Sequence, residues 1–171
     1  QNDYGTFGAG NTSTKETVVA YDVNDFKIAC YGSIVLKEDG KAYAAGKNSY
    51  GQLGIGNTTN TSTLTQISID TNSKIKYIAP GGDTSAVMTS DGTVYETGYN
   101  YYGVLSNGTT TNSSKFMPLL NNDGSSVTDG FIIPEKIIDS STDFYPTIFS
   151  IIKKDGTVWT SGNNEYGQLG N

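Results

Sequence analysis

Three Asp-Gly pairs stand at one fixed distance from three Tyr-Gly pairs. Asp39 leads to Tyr50, Asp91 to Tyr102 and Asp155 to Tyr166, eleven residues in each case. Each Asp-Gly is followed by a short apolar run: Ala42-Tyr43, Val94-Tyr95 and Val158-Trp159. A glycine-punctuated tail comes next, as in Gly46-Lys47-Asn48-Ser49-Tyr50-Gly51-Gln52-Leu53-Gly54. A fourth tail, Tyr4-Gly5-Thr6-Phe7-Gly8, opens the chain without its turn. Successive tail tyrosines lie 46, 52 and 64 residues apart, so hairpin and tail are constant and the loops before them vary. A rigid repeated unit with variable loops is the pattern of a stacked array.

The segments between these marks read as short strands, and none has sustained helical periodicity. Expected strands are Val18–Tyr21, Phe26–Ala29, Ser33–Leu36, Leu64–Ile69, Lys74–Ala79, Ser85–Thr89, Thr93–Thr97, Phe116–Leu120, Lys136–Ile138, Ile148–Ile152 and Thr157–Ser161. Asp-Gly is read as a two-residue type I′ hairpin turn, with both residues at positive φ. About four strands per period of near 50 residues predicts an all-β chain of β-propeller blades, each of four antiparallel strands. The divisions are a partial repeat at 1–16 and repeats at 17–61, 62–112 and 113–171. The last carries an inserted loop at 121–134.

Asp-Gly-Thr-Val-Trp/Tyr followed by Gly-x-Asn-x-Tyr-Gly-x-Leu-Gly resembles the regulator of chromosome condensation repeat. Gly46–Gly54 and Gly162–Gly170 fit closely; Gly98–Leu105 fits except for Ser106 in place of the last glycine. The resemblance spans essentially the whole chain and implies a propeller, usually of seven blades. About three repeats make an incomplete ring, to be completed by the remaining blades of a longer parent chain or by a homo-oligomer. A chain that begins with Gln and ends inside a repeat points to a fragment or processed product. The family often has a His before the hairpin strand, where this chain has Gly81-Gly82-Asp83-Thr84-Ser85. None of the exchange-factor residues of the eponymous member can be matched, so that activity does not transfer. A kelch propeller is the alternative, but the Trp expected soon after Tyr95 is absent.

The formal net charge is −6 and all 11 basic residues are lysine. An acidic surface without a basic stripe disfavours nucleic acid. No apolar run is long enough to span a membrane. With no histidine in the chain, Ser-His-Asp, Cys-His and His-containing zinc sites are excluded. Cys30 stands alone among Ile28, Ala29 and Tyr31 and reads as a small buried hydrophobe.

The remaining motifs have plainer readings. A carboxylate glycosidase needs two facing acids, yet Asp39, Asp91 and Asp155 read as turn residues. A sialidase-type aspartate box is ruled out because Asp and Gly are adjacent. Gly5-x-x-Gly8-x-Gly10 has the wrong order for a phosphate loop. Asn121, Asp123, Ser125 and Asp129 have oxygen-ligand spacing for Ca²⁺, but the central glycine is misplaced. The sequons at Asn11, Asn57, Asn60, Asn107 and Asn112 lie in Asn/Thr/Ser-rich loops where such triplets arise by chance.

Function is therefore sought where the repeats differ. Tyr99 and Tyr101 replace Lys47/Asn163 and Ser49/Glu165, and the insertion adds Asn122, Asp123, Asp129 and Phe131. These are the candidate partner contacts, since rigid aromatics and added loops favour recognition. The expectation is a non-enzymatic protein-binding scaffold without cofactor or metal. A self-assembling surface protein and a carboxylate glycan-active enzyme are the alternatives. The Asn/Thr/Ser-rich acidic composition is read as extracellular or cell-surface, with cytoplasmic as the alternative.

Overall fold

The structure is a computed structural model that describes residues 4–5, 8, 10, 23–28, 31–128, 130–131, 148–153, 155–167 and 169–170. Its sheets are built outward from the Asp-Gly hairpins. At the first, Lys37 N–H donates to the Lys41 carbonyl (2.9 Å) and Gly40 N–H to the Lys37 carbonyl (2.9 Å). Gly40 is left-handed (φ 84°), whereas Asp39 is not. The expected type I′ turn is thus replaced by a longer loop closed by a left-handed glycine. The reason is side-chain chemistry: Asp39 Oδ1 accepts the Lys41 N–H (3.0 Å), a contact made two residues ahead. Gly92 (φ 88°) and Gly156 (φ 84°) repeat the arrangement.

β1 (Asp25–Ile28), β2 (Gly32–Leu36), β3 (Ala42–Gly46) and β4 (Thr61–Gln66) form one sheet in sequential order. β5 (Ile75–Pro80), β6 (Thr84–Thr89), β7 (Val94–Gly98) and β8 (Ser113–Pro118) form a second in the same order. β9 (Gly130–Phe131), β10 (Ile148–Lys153) and β11 (Val158–Gly162) form a third, with β11 at its edge. Every pairing within the sheets is antiparallel. No helix long and apolar enough to cross a membrane occurs among the described residues.

The fourth strands start about three residues earlier than expected. Thr61–Gln66 and Ser113–Pro118 open on Ser and Thr, which read as loop, while Ile67 and Leu119 leave the ladder for the core. Hence the hydrogen-bonded sheets, 25–66 and 75–118, are out of phase with the sequence divisions by one strand. The expected strands Val18–Tyr21 and Lys136–Ile138, and Cys30, lie outside the described residues.

Two apolar layers hold the sheets together. Ile34, Leu36, Ala42 and Ala44 of the first sheet meet Ile78, Val87, Tyr95 and Phe116 of the second. Ala86, Met88 and Val94 on the other face meet Phe149 and Ile151 of the third, with Trp159 against them. The middle sheet is therefore covered on both faces, and β6 and β7 are buried throughout.

The tails after β3 and β7 are each closed by one buried asparagine. Asn48 Nδ2 donates to the carbonyls of Asn57 (2.8 Å) and Thr59 (3.1 Å), and its Oδ1 accepts the Leu53 N–H (3.0 Å). Asn100 does the same with Thr109 (3.0 Å), Thr111 (3.1 Å) and Leu105 (2.9 Å). The backbone N–H groups of Asn48 and Asn100 donate to Asn60 and Asn112, both 2.8 Å, so two of the sequon asparagines have structural work. Asn100→Ala leaves one N–H and two carbonyls without these partners inside the fold. The expected loss is about 3 kcal/mol, read as a lower urea midpoint at unchanged slope.

Candidate functional site

The tail tyrosines and their neighbours join into one aromatic rim. Tyr4 meets Tyr31 edge-on at 5.7 Å between ring centroids. Lys47 Nζ lies 5.1 Å from the Tyr31 ring and 5.5 Å from the Tyr50 ring. Tyr50 meets Tyr99 at 5.2 Å, and Tyr99 is 6.5 Å from Tyr101 and 6.4 Å from Tyr102. Tyr101 and Tyr102 meet at 5.0 Å. Such contacts are favourable edge-to-face and offset arrangements that stiffen the rings against one another.

Local structure explains the alignment. Tyr4, Tyr50 and Tyr102 hold the same place in three successive tails, while Tyr31 precedes β2. Lys47 and Tyr99 share a repeat position directly after β3 and β7. Lys47 is fixed by Asp83 at 3.0 Å, and Gln52 Nε2 donates to the same Asp83 oxygen (3.0 Å). The tail of one sheet is thereby tied to the β5–β6 turn of the next. The sequence contrast found Tyr99 and Tyr101 but missed Tyr4, Tyr31, Lys47 and Tyr50. Stacking brings Tyr50 of one repeat against Tyr99 of the next, a relation that the repeat spacing contained.

Tyr101 is 67% exposed and Tyr102 partly so, whereas Tyr99 is half-buried among its neighbours. Asn122 and Asp123 are also exposed, at the tip of a small hairpin whose ladder joins Leu120 to Ser126. That hairpin follows β8, whose end pairs with Tyr95 near the start of β7; Tyr99 and Tyr101 follow the end of β7. The two groups of candidates sit at opposite ends of the second sheet and form no common site. Asp129 and the Phe131 side chain lie outside the described residues.

The insertion does more than present a loop. Val127 is 1% exposed and belongs to the second apolar layer; its N–H donates to the Leu119 carbonyl (2.8 Å). Lys153 on β10 donates to Asn121 Oδ1 (2.7 Å) and lies 3.9 Å from the Trp159 ring centroid. An ammonium therefore occupies one oxygen of the imagined calcium set. Asp123 Oδ1 accepts the Ser125 hydroxyl (2.6 Å) and N–H (2.9 Å), and these bonds hold its carboxyl below the usual range. No group of three or more Cys, Asp or Glu suited to a metal occurs among the described residues.

The acids have other roles. Asp91 is held well below the usual range by hydrogen bonds from Ser73 (2.5 Å), Thr89 (2.6 Å) and the Thr93 N–H (3.0 Å). Asp155 is lowered by the Thr157 hydroxyl and N–H. Both serve turns. Glu96 on β7 is different: it is 1% exposed and neither carboxyl oxygen has a hydrogen-bond partner. Its cross-strand neighbours are Ala86 and Met117. Burial alone pushes its pKa well up. The same repeat position in the first sheet holds Ala44.

A model described as the regulator of chromosome condensation (RCC1) repeat matches residues 39–88, the span from the first hairpin to the strand before the second. The chain is 41% identical over 111 residues to the X-linked retinitis pigmentosa GTPase regulator of Canis lupus familiaris. This is a chain of regulator of chromosome condensation repeats. The match covers 61% of this chain and 11% of that relative, so the chain spans about a tenth of its length. Among solved structures, human WBSCR16 superposes with a TM-score of 0.72 at 20% identity, over 95% of this chain and 41% of that one. Yeast RCC1 (Prp20) bound to Kap60 superposes with a TM-score of 0.58 at 17% identity, over 84% and 33%. Those two likenesses establish the fold. The antiparallel four-stranded sheets are thus the blades of a regulator-of-chromosome-condensation-type propeller, with β1–β4 and β5–β8 complete.

Two consequences are measurable. Because folding raises the Glu96 pKa, the folded chain binds this proton more tightly than the unfolded one. Glu96 therefore costs stability progressively as pH rises above the unfolded carboxyl value. Glu96→Met should stabilise at neutral pH by on the order of 2 kcal/mol and by less near pH 4.5, read from urea midpoints across pH. Val127→Ala should cost about 2 kcal/mol by thermal or urea unfolding. The segment read from the sequence as an inserted loop thus also supplies a core residue.

Proposed function

We propose that the chain is a non-enzymatic protein-binding scaffold and that the tyrosine rim is its contact surface. The observation that carries this reading is the continuity of Tyr4, Tyr31, Lys47, Tyr50, Tyr99, Tyr101 and Tyr102 across successive repeats. Tyrosine supplies large contact area at low entropic cost and is enriched in interface hot spots. Lys47 adds a cation held in place by Asp83, and the partner face should carry acceptors for it and for the phenolic hydroxyls. Yeast RCC1 (Prp20), which shares the fold, was solved bound to Kap60, and this is consistent with such a role.

The enzyme alternative has little to stand on. Asp91, Asp123 and Asp155 are engaged in turns, and Glu96 is sealed from any substrate. Nothing in the likenesses favours the extracellular placement expected from composition, and we adopt the cytoplasmic alternative.

The test begins with affinity capture on the wild-type chain and on Tyr99→Ser/Tyr101→Ser. A captured protein is then purified, and its Kd for each is measured. The double variant should bind at least tenfold more weakly while still folding, read as a cooperative urea transition of unchanged slope. Equal affinity for a purified partner would move the contact surface elsewhere.

A further inference from the structure

The fourth strands of the two complete blades leave their ladders in the same way. Ile67 N–H donates to the Ala42 carbonyl (3.1 Å), and Leu119 N–H to the Val94 carbonyl (2.9 Å). One residue on, Ser68 N–H donates to the Gly54 carbonyl (2.6 Å), and Leu120 N–H to the Ser106 carbonyl (2.9 Å). Ala42 and Val94 hold the same place after their Asp-Gly hairpins. In neither blade is the return bond made, from the Ala42 N–H to Ile67 or from the Val94 N–H to Leu119. Each exit therefore leaves one main-chain donor and one main-chain acceptor over.

In the second blade one residue takes both. The Val127 carbonyl accepts the Val94 N–H (3.2 Å), and the Val127 N–H donates to the Leu119 carbonyl (2.8 Å). Its side chain is buried in the second apolar layer. A residue that spends its N–H and its C=O on one side is pairing as an extended strand residue does.

The first blade has the same notch and no such residue. Among the described residues nothing accepts the Ala42 N–H and nothing donates to the Ile67 carbonyl. Ala42 is nevertheless 1% exposed and Ile67 5%. Buried main-chain groups left over in this way are rare and call for a partner. The connection that follows runs past the notch. Eight residues separate Ile67 from the start of β5, against eleven from Leu119 to the start of β9. On this shorter path Ile69 bridges to Phe116, and Ile75 N–H donates to the Gly40 carbonyl (3.0 Å). What remains is a cavity of about 360 Å³, walled by Ala42, Ile67, Ile69 and Ile75, with the exposed Lys41 and Lys74 also lining it.

We propose that this notch binds an extended peptide segment of a partner protein, with a Val or Ile in the place that Val127 takes in the second blade. The carbonyl of that residue accepts the Ala42 N–H, and its N–H donates to the Ile67 carbonyl. Its branched side chain fills the space among Ile67, Ile69 and Ile75. Main-chain bonds of this kind supply affinity, and the side-chain pocket supplies selectivity. Lys74 has no acid within ion-pair distance among the described residues, and Lys41 has Asp39 at 3.7 Å. The segment therefore carries an Asp or Glu beside its Val or Ile. Val127 of a second copy is no candidate, because it is sealed in its own apolar layer. The notch lies at the start of β3, whereas Lys47 of the tyrosine rim follows the end of β3, so the two contacts are separate.

The test titrates the full chain, labelled with nitrogen-15, with the capped peptide acetyl-Ser-Ser-Val-Thr-Asp-amide, which copies residues 125–129. The amide signals of Ala42 and Ser68 should shift saturably, with a Kd on the order of 1 mM. Those of Lys47, Tyr99 and Tyr101 should stay in place. The same peptide with Ser for Val, or with an N-methylated Val that lacks the donor, should bind about tenfold more weakly. Lys74→Glu should weaken binding about threefold. No saturable shift up to about 10 mM peptide would overturn the proposal. So would equal binding of the Ser peptide, or shifts centred on the tyrosines. Movement of the Ala42 and Ser68 signals on raising protein concentration alone would assign the notch to a second copy, and would overturn it equally.

Discussion

The architecture depends on how closely one repeat's tail can lie against the fourth strand of the next. Gly51 and Gly54 press on Ser113, Ser114 and Phe116 at distances no side chain would allow, and Gly5 and Gly8 press in the same way on Ser62 and Leu64. The left-handed φ of these glycines turns the tail back across the neighbouring sheet. The tail therefore fastens blade to blade, and the apolar layers fill the space that this fastening defines. A single sheet from this chain would expose half its core.

That dependence accounts for what the sequence shows plainly. Asp-Gly hairpins and Tyr-Gly tails recur because every blade needs the same turn and the same close approach. What recurs is structural, so the acid, the aromatic position held by Trp159 and the glycines of Asp155–Gly170 are parts of the frame. The unrepeated residues are harder to read. The fourth strands are polar, because one side of Thr61–Gln66 faces water, and their pattern resembles a loop. Val127 sits in a run of Asn, Asp, Gly and Ser, and nothing in that composition signals a fully buried side chain. Glu96 occupies a position that alternation assigns to the core, but its identity suggests surface.

The candidate contacts divide along the same line. Tyr99 and Tyr101 were visible as departures from the repeat at fixed positions. Their partners in the rim were not, because Tyr4, Tyr50 and Tyr102 are repeated and so look purely structural. They are both: the tyrosine that marks the tail also supplies a ring to the rim. Lys47 shows how neighbouring blades cooperate, since its ammonium is placed by an aspartate of the following sheet and shared between rings of two different loops.

The buried asparagines carry a consequence for how such a chain diversifies. Asn48 and Asn100 grip the loops that follow them through main-chain carbonyls of residues 57, 59, 109 and 111. A grip on backbone carbonyls is indifferent to the side chains at those positions, although Asn60 and Asn112 return a side-chain bond to it. Duplicated copies can therefore drift at the other loop positions without compensating changes elsewhere, provided that the tail asparagine and the loop asparagine that meets its N–H are kept. The outward-facing letters of each copy are left open to selection for something other than folding.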